Sequence, residues 1–325
     1  MKFFFKLVVV VLLAAAAYLA YALLRPMNPG TQNFVLLRPG SSTRRIAHEL
    51  QDHGAIRSWP AFLALHYWKE KPLKAGEYLF DRPANALEVY GRLARGDSYV
   101  HTVVIPEGYN LYDIAAVVQN AGLGSSADFL KLARSDAPLI ADLDPAAKSL
   151  EGYLFPDTYS FTRAQDLQDM MLTMVRRFRQ EAKQIGLSSD VHRVVTMASI
   201  VEKETAAPEE RPLVASVYYN RLEKGIAFDA DPTVIYAALL EGRYRGAIYQ
   251  SDLQNNSPYN TYKNAGLPPG PIANPGRSAL LAAMRPAQSR YLYFVSDNNG
   301  RHRFASTLEE HNQNVLAYRR AAGAR

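Results

Sequence analysis

The sequence predicts an α+β protein with an N-terminal transmembrane helix, small βα modules and a larger mixed α/β domain. Three observations predict this class. The chain begins with a long apolar run, a strand, turn and helix pattern occurs twice with an offset of 68 residues, and amphipathic helices alternate with short β-rich segments in the remainder. One such helix is predicted from Asp166 to Ile185, where Met170, Met174 and Phe178 recur at the spacing of a buried helix face.

The composition is that of a folded protein of two or three domains. Hydrophobic residues make up 48% of the 325 positions and charged residues 21%, which is typical of globular chains. The net charge of +6 includes no dense Lys/Arg block, so we expect no nucleic-acid partner. The sequence contains no cysteine, which excludes thiolate catalysis, disulfides and cysteine-ligated zinc.

The amino terminus has the pattern of a single membrane span. Lys2 and Lys6 precede an uncharged run from Leu7 to Leu24, and Arg25 follows it. Together with the preceding phenylalanines, this run is long enough to cross a bilayer as a helix. The lysines before the span favour a cytoplasmic N-terminus. We therefore predict an anchor over residues 1–25 in the cytoplasmic (inner) membrane, with the rest of the chain periplasmic or extracytoplasmic.

A cleaved signal peptide is the alternative interpretation of this segment. Ala20 and Ala22 are small residues of the kind found at cleavage sites. The apolar run is longer than the roughly 7 to 15 residues of a signal-peptide core, however, which favours an uncleaved anchor.

A repeated pattern follows the anchor. FVLLRPGSSTRRIAHELQDHGAI aligns with HTVVIPEGYNLYDIAAVVQNAGL, and the offset of 68 places Gly40 on Gly108 and Gly54 on Gly122. Two copies are too few for a solenoid, so the pattern predicts two small related modules.

The first copy continues with a predicted helix around Trp59 to Trp68 and a strand at 75–80 (AGEYLF). This order resembles a LysM domain, a fold that binds glycans containing N-acetylglucosamine. We predict such a module over residues 26–100 and a second LysM-like repeat at about 101–123. A packing module without a ligand remains the alternative, and Tyr67 and Trp68 are either sugar-stacking rings or core residues.

Two glutamates mark the end of a predicted helix, VHRVVTMASIVEKET. At about 100° per residue, Glu202 and Glu204 lie at opposite edges of the apolar stripe, while Lys203 points to solvent. Apolar neighbours and the negative end of the helix dipole both favour a protonated carboxyl, as a general acid requires. Periodicity leaves both glutamates possible.

Two further glutamates have a simpler explanation. Glu209 and Glu210 follow Pro208 at the predicted start of a second helix, PEERPLVASVYYNRLEKG, which ends at Gly225. Proline and acidic residues are favoured in the first turn of a helix, so these two glutamates are predicted to be structural.

The C-terminal third contains polar and aromatic loop motifs. SPYNTYKNAGLPPGPIANPG is a proline-stiffened loop in which Asn260 and Tyr262 offer hydrogen-bonding groups suited to sugars. YLYFV, SDNNG and RHRF predict a hairpin. His302 and His311 are separated in sequence and no HExxH motif is present, so we predict neither a metal nor another cofactor.

Taken together, these motifs resemble one family over essentially the whole chain. LEGYLFPDTY, MASIVEKETA, ERPLVASVYYNRL, DADPTVIYA, YNTYKNAGLPPGPIANPG and GRHRFASTLEEHN are similar to segments of the endolytic murein transglycosylases, the MltG or YceG-like family. The resemblance implies a catalytic domain over residues 101–325. It also implies cleavage of nascent peptidoglycan between N-acetylmuramic acid and N-acetylglucosamine, leaving 1,6-anhydro ends and helping to terminate strand elongation.

The same resemblance assigns roles to individual residues. The family's catalytic residue is the second glutamate of its EKET motif, which is Glu204 in this sequence. Beyond this carried-over role, our own hypothesis is that Asn260, Tyr262, Asp231 and His302 are substrate-binding residues of the groove. The implied partners are peptidoglycan glycan strands, the membrane and the cell-wall synthases.

The chemistry of a lytic transglycosylase agrees with a single essential acid, because the C6 hydroxyl of the substrate is the nucleophile. If a second carboxylate takes part, Glu202 and Asp231 are the candidates, and Glu202 is otherwise a helix-packing residue. Two other functions stay open: a hydrolytic muramidase, and a non-catalytic peptidoglycan-binding scaffold of the synthesis machinery.

Overall fold

The chain folds into two units that both combine helices and strands, which confirms a mixed α and β class. The computed structural model describes residues 2–28, 30 and 33–323. The first unit comprises residues 1–102 with 160–166, and the second comprises 103–159 with 167–325. The domain boundaries inferred above stay a prediction.

The first unit begins with the apolar helix α1 (Lys2–Leu24). Its other elements are β1 (Asn33–Leu37), α2 (Thr43–Asp52), α3 (Trp59–Lys69), β2 (Gly76–Phe80) and α4 (Ala86–Arg95). The two strands pair antiparallel, with Asn33 opposite Phe80 and Leu37 opposite Gly76. Alternate strand residues and one face of each helix close a core around Val35, Phe62 and Tyr78.

Helix α1 is 23 residues long and is the one helix in the described part of the chain that is long and apolar enough to cross a membrane. Its last turn also belongs to the fold of the first unit. Ala22 is buried and Leu23 packs against the core. Just beyond the helix, Met27 and Ala84 exchange two backbone hydrogen bonds of 2.9 and 3.1 Å.

The sequence repeat appears in the backbone. Helix α5 (Leu111–Asn120) has the length of α2 and lies 68 residues after it, preceded by strand β3 (His101–Val104). Gly40 and Gly108 have φ angles of 77° and 78°, and Gly54 and Gly122 have 66° and 67°. These left-handed positions, which favour glycine, turn the chain before and after each helix. Local sequence signals therefore determine this part of the structure.

The second unit is mainly helical. After β3 and α5 it contains α6 (Ser126–Ser135), a 3₁₀ turn (Ala137–Ile140), β4 (Thr158–Phe161), α7 (Leu167–Ile185), α8 (Val191–Glu204), α9 (Arg211–Glu223), α10 (Asp231–Leu240), α11 (Gln250–Leu253), α12 (Arg277–Met284), β5 (Tyr293–Ser296), β6 (His302–Ala305) and α13 (Leu308–Gly323). Strands β3 and β4 pair with each other. The predicted amphipathic helix is α7, and its Met170, Met174 and Phe178 are fully buried. The predicted hairpin is β5–β6, in antiparallel register.

At the junction between α8 and α9, both helices are shorter than predicted. Helix α8 ends at Glu204, where Thr205 takes an extended conformation, rather than near Ala207. Helix α9 begins at Arg211 rather than at Pro208. Glu204 is therefore the last residue of α8, where the negative end of the helix dipole disfavours a carboxylate.

Glu209 and Glu210 consequently lie in a turn and are not first-turn residues of α9. Glu210 is buried, and its carboxylate accepts hydrogen bonds from the backbone N of His302 (3.1 Å) and from its Nδ1 (2.7 Å). Glu209 pairs with exposed Arg301 at 3.1 Å. The two carboxylates hold the β5–β6 hairpin against this turn, which corrects their predicted role as helix-start charges.

Buried polar groups hold the proline-rich loop in place through hydrogen bonds. Asn274 accepts from Leu154 N (2.8 Å) and donates to Tyr109 O (2.9 Å) and to Glu151 Oε1 (3.1 Å). Glu151 also accepts from Leu111 N at 3.0 Å, at the start of α5. Burial raises the pKa of Glu151 to about 8. This network fixes the loop against α5.

Candidate active site

A pocket of about 390 Å³ opens in the second unit at the C-terminal end of α8. Helices α8, α9, α10 and α13, the β5–β6 hairpin and two loop segments contribute its lining. The lining residues are Glu204, Tyr218, Arg221, Phe228, Asp229, Asp231, Tyr262, Tyr293, Phe294, Leu308 and His311. Three carboxyl groups, one guanidinium group and several aromatic rings thus line one pocket. This composition suits a polar, ring-shaped ligand.

Glu204 is placed by the end of α8 and is half-buried. Its Oε1 accepts a hydrogen bond of 2.8 Å from the hydroxyl of Tyr218. Burial raises the pKa of Glu204 to about 7, and the nearby charge of Asp231 acts in the same direction. A carboxyl with this pKa can both donate and accept a proton near neutral pH.

Asp231 is the first residue of α10, and its Oδ1 accepts a 2.7 Å hydrogen bond from the hydroxyl of Tyr262. Both side chains line the pocket with Glu204. Three of the five residues predicted for the site are thus brought together. The Asp231 and Tyr262 pair joins α10 to the loop that precedes the prolines.

Asn260 has a different position from the predicted one. It is fully buried, and its Nδ2 donates to the backbone carbonyls of Leu253 (3.1 Å) and Asn255 (2.7 Å). Its Oδ1 accepts from Tyr262 N at 3.0 Å. With its polar atoms used inside the loop, Asn260 shapes the backbone that carries Tyr262 and forms no part of the pocket wall.

His302 also lies behind the wall. Its Nδ1 is bonded to Glu210 and its ring meets Phe294 edge-on, with 5.3 Å between centroids. Phe294 lines the pocket, whereas His302 does not. His302 therefore supports Phe294 from outside the pocket, and its direct contact with a ligand stays a prediction.

Glu202 points away from the pocket, as its position on the helical wheel suggests. Its Oε1 accepts from Arg211 at 2.6 Å and its Oε2 accepts from Gly276 N at 2.9 Å. Burial raises the pKa of Glu202 above its ordinary value. Glu202 joins the end of α8 to the start of α9, which is the helix-packing role, and of the two predicted candidates for a second carboxylate it is Asp231 that lines the pocket.

Eight residues of the pocket lining were not predicted from the sequence, and four of them are polar residues that contact one another or Glu204: Tyr218, Arg221, Tyr293 and His311. Arg221 is held by the carbonyl of Leu292 (2.6 Å) and lies 5.2 Å from the ring centroid of Tyr293. His311 stacks on the same ring at 5.0 Å. Burial, with the Arg221 charge as the second cause, lowers the pKa of His311. Tyr218 and Arg221 belong to VASVYYNRL, a quoted motif whose polar residues offered the available signal.

Known proteins are similar to this chain over a range that includes all of the family motifs quoted above. Residues 35–317 match the model of the YceG-like family. An endolytic murein transglycosylase of Bacillus subtilis (strain 168) is 34% identical over 317 residues, covering 90% of this chain and 87% of that protein. The endolytic murein transglycosylase of Streptococcus pneumoniae serotype 2 is 30% identical, covering 96% of this chain and 64% of that protein.

A solved structure agrees with these sequence matches. The crystal structure of a YceG-like protein from Listeria monocytogenes shares 35% sequence identity and superposes with a TM-score of 0.56. The match covers 87% of this chain and 99% of that one. Because the family match covers most of the chain, with parts of both units and every residue of the pocket, the chain belongs to the YceG-like family.

Proposed function

We propose that this protein is an endolytic murein transglycosylase in which Glu204 acts first as general acid and then as general base. The observation that carries the proposal is the placement of Glu204 at the pocket, where burial brings its pKa to about 7. The two relatives described above are named for this activity. The substrate is a peptidoglycan glycan strand, and the open polar and aromatic pocket suits a sugar ring.

The proposed reaction needs one proton donor. Protonated Glu204 gives its proton to the glycosidic oxygen as the bond to C1 of N-acetylmuramic acid breaks. The C6 hydroxyl of the same sugar then bonds to C1, and its proton passes to Glu204. The products are a free 4-hydroxyl on N-acetylglucosamine and a 1,6-anhydro ring, and no water is consumed. Glu204 ends the cycle protonated.

Neighbouring residues support both steps. The hydroxyl of Tyr218 bonds to Glu204 and orients its carboxyl. Asp231 adds negative charge beside the site, which keeps the proton on Glu204 and favours a positively charged sugar in the transition state. Arg221 lowers the pKa of Glu204, opposing these effects. The balance leaves Glu204 able to exchange a proton near pH 7.

The decisive experiment compares Glu204→Gln with wild type on purified glycan strands. We expect the variant to release no 1,6-anhydro fragments above background, since glutamine keeps the shape of the side chain but lacks its exchangeable acid proton. Glu223→Gln, an exposed change on α9, is the matched control and should keep wild-type activity. Anhydro products from Glu204→Gln at the wild-type rate would remove Glu204 from the reaction.

Product masses separate the competing functions. A hydrolytic muramidase gives reducing ends about 18 Da heavier than anhydro ends, because water is then the nucleophile. A non-catalytic scaffold binds glycan but gives no products with wild-type protein or any variant. Mass spectrometry of the wild-type digest therefore tests the transglycosylase proposal against both.

The proposal extends to the setting of the enzyme. We infer that α1 is a single-pass anchor with a cytoplasmic N-terminus and a periplasmic or extracytoplasmic body, near the cell-wall synthases that make the substrate. The order β1–α2–α3–β2, with its antiparallel strand pair, supports a LysM-like module in the first unit. A glycan-binding role for this module belongs to the same proposal.

A further inference from the structure

The net positive charge of the protein belongs to the unit that carries α1. Residues 1–102 and 160–166 contain 14 Lys and Arg against 8 Asp and Glu, which accounts for the whole net charge of +6. Residues 103–159 and 167–325 contain 23 of each sign. The catalytic unit is thus neutral overall, and an anionic partner of the protein would meet the first unit.

The structure also indicates which part of this unit is nearest the bilayer. A helix of 23 residues at about 1.5 Å per residue covers the roughly 30 Å hydrocarbon core, so the span ends near Leu24. Met27 follows within the headgroup layer, and its two hydrogen bonds fix Ala84 at the same depth. The segment that leads into α4 is therefore at the membrane surface without any flexible spacer.

Side chains around the end of α1 have the character of an interface. Tyr21 lies one turn before the end of the span, where tyrosine is enriched in membrane proteins. The guanidinium groups of Arg25 and Arg57 lie 5.5 and 4.8 Å from its ring centroid. Arg57 also donates to the carbonyl of Pro26 at 3.5 Å. Cations from two parts of the unit thus surround the helix where it ends.

Two depressions flank the exposed face of α4 beside this point. The larger, of about 670 Å³, has Arg82, Arg92 and Arg95 in its lining, and the smaller, of about 360 Å³, has Lys69, Lys71 and again Arg95. The one acidic residue in either lining is Glu88. Its carboxylate is already occupied, since it accepts from Asn85 N (3.1 Å) in the N-terminal cap of α4.

Two of the three cations of the larger depression, Arg82 and Arg95, are available to a ligand, whereas Arg92 donates to Leu79 O at 2.9 Å. Arg82 is exposed and makes no hydrogen bond or ion pair with any other described residue. Arg95 pairs with Asp97 at 2.7 Å, but its side chain is 64% exposed, so this pair adds little stability and yields readily to a competing anion. Guanidinium groups bind phosphate oxygens in a bidentate geometry that lysine cannot supply.

We propose that the face of α4, with Arg82 and Arg95 at its centre, binds the phosphate headgroups of anionic phospholipids next to the anchor. The inference rests on the proposed membrane anchor and is independent of the catalytic proposal. The five cations that line the two depressions match the negative surface of a bilayer rich in phosphatidylglycerol. Neutral sugars require aromatic platforms and hydroxyl-matched polar groups, and the larger depression has no aromatic residue in its lining.

The test uses the full chain in a non-ionic detergent, titrated with phosphatidylglycerol or phosphatidylcholine and followed by native mass spectrometry. We expect wild type to bind phosphatidylglycerol in preference to phosphatidylcholine. The double variant Arg82→Gln/Arg95→Gln should bind phosphatidylglycerol about 25-fold more weakly, since each cation near an anionic surface contributes about fivefold. Arg82→Lys/Arg95→Lys, which keeps both charges but loses the bidentate geometry, should bind more tightly than the glutamine variant and more weakly than wild type.

Arg319→Gln/Arg320→Gln is the matched control, because it removes two exposed cations from α13 in the neutral unit. Equal affinity of wild type for the two lipids overturns the proposal, and so does an equal loss in the control. Displacement of phosphatidylglycerol by a peptidoglycan oligosaccharide would assign the face to glycan instead. An unchanged thermal midpoint of the glutamine variant, with reduced lipid binding, excludes misfolding as the cause. None of these measurements depends on catalytic activity.

Discussion

The acid strength of Glu204 results from four neighbouring influences that do not all act in the same direction. Burial is the largest and raises its pKa, and the charge of Asp231 raises it further. The hydrogen bond from Tyr218 and the charge of Arg221 lower it. Because the resulting value is about 7, small changes in these groups move the protonation equilibrium across the physiological range.

The substitution Tyr218→Phe tests this balance. It removes the hydrogen bond that favours the carboxylate, so the pKa of Glu204 should rise above about 7. The proposed first step needs the protonated form, and activity should therefore persist to higher pH than in wild type. The measurement is kcat/KM for anhydro-product release between about pH 5 and 9.

Tyr219→Phe is the control for this experiment. It makes the same change on the next residue, whose hydroxyl donates to Ala283 O at 2.9 Å, and Tyr219 does not line the pocket. The alkaline limb of its kcat/KM profile against pH should coincide with that of wild type. An alkaline limb that stays in place in Tyr218→Phe would show that Glu204 does not control the pH dependence.

The roles of some site residues could be predicted from the sequence better than those of others, and the reasons are physical. The helical wheel limited the candidates to Glu202 and Glu204, and the family resemblance chose between them. Periodicity cannot show that Arg211 neutralises one of the two while the other faces a pocket. Asn260 was misplaced because a polar loop residue satisfies backbone carbonyls as readily as it binds sugars, and composition does not distinguish the two uses.

At the scale of elements, helices and strands with strong local signals were predicted well. The structure confirms α7, the β5–β6 hairpin and the repeated strand, turn and helix, whose glycines and apolar spacing are visible in sequence. The start of α9 was not predicted, since Pro208 and Pro212 both fit a first helical turn. The hydrogen bonds from His302 to Glu210 favour the later start, and they come from 92 residues away.

The approach of the proline loop to α8 gives a prediction at this scale. Gly152 has a φ of +90°, and a Cβ there would meet Pro271 Cγ at 2.6 Å and Val195 Cγ1 at 2.8 Å. We expect Gly152→Ala to destabilise the second unit by about 1–3 kcal/mol through overpacking, in addition to about 1 kcal/mol of backbone strain. Thermal and denaturant unfolding of the detergent-solubilised chain measure the change.

Gly186→Ala separates the two contributions. Gly186 has a φ of +76°, but nothing lies within 4 Å of an added Cβ, so this variant carries the backbone strain alone. Equal losses of stability in the two variants would mean that the contact between the loop and α8 does not constrain the fold.

At the scale of the whole molecule, the structure bears on the fate of the amino terminus. Ala22, one of the two candidate cleavage positions, is 2% exposed and packed in the first unit. Signal peptidases need an accessible, extended segment, whereas residues 2–24 are helical. We predict that protein purified from membranes retains residues 1–22, as intact mass measurement would detect. A mature chain that begins near residue 23 would contradict an uncleaved anchor.

The division into two units was the least predictable property. Residues 160–166 return to the first unit, where Arg163 bonds to Glu77 at 2.6 Å across 86 residues of sequence. No local pattern encodes a contact of that separation, because it depends on how complete elements pack. The unit boundaries fall inside β3 and β4, where no turn or linker motif marks them in the sequence.

The burial of Ala22 and Leu23 has a consequence for biogenesis. The core that receives them includes Val89 and Leu93, about seventy residues later in the chain. In the topology proposed above, the anchor would insert into the bilayer long before its last turn gains its partners, and the first unit would complete folding only once α4 had been translocated. Until α4 is available, the apolar faces of α2 and α3 would stay uncovered, which makes this the interval of greatest aggregation risk.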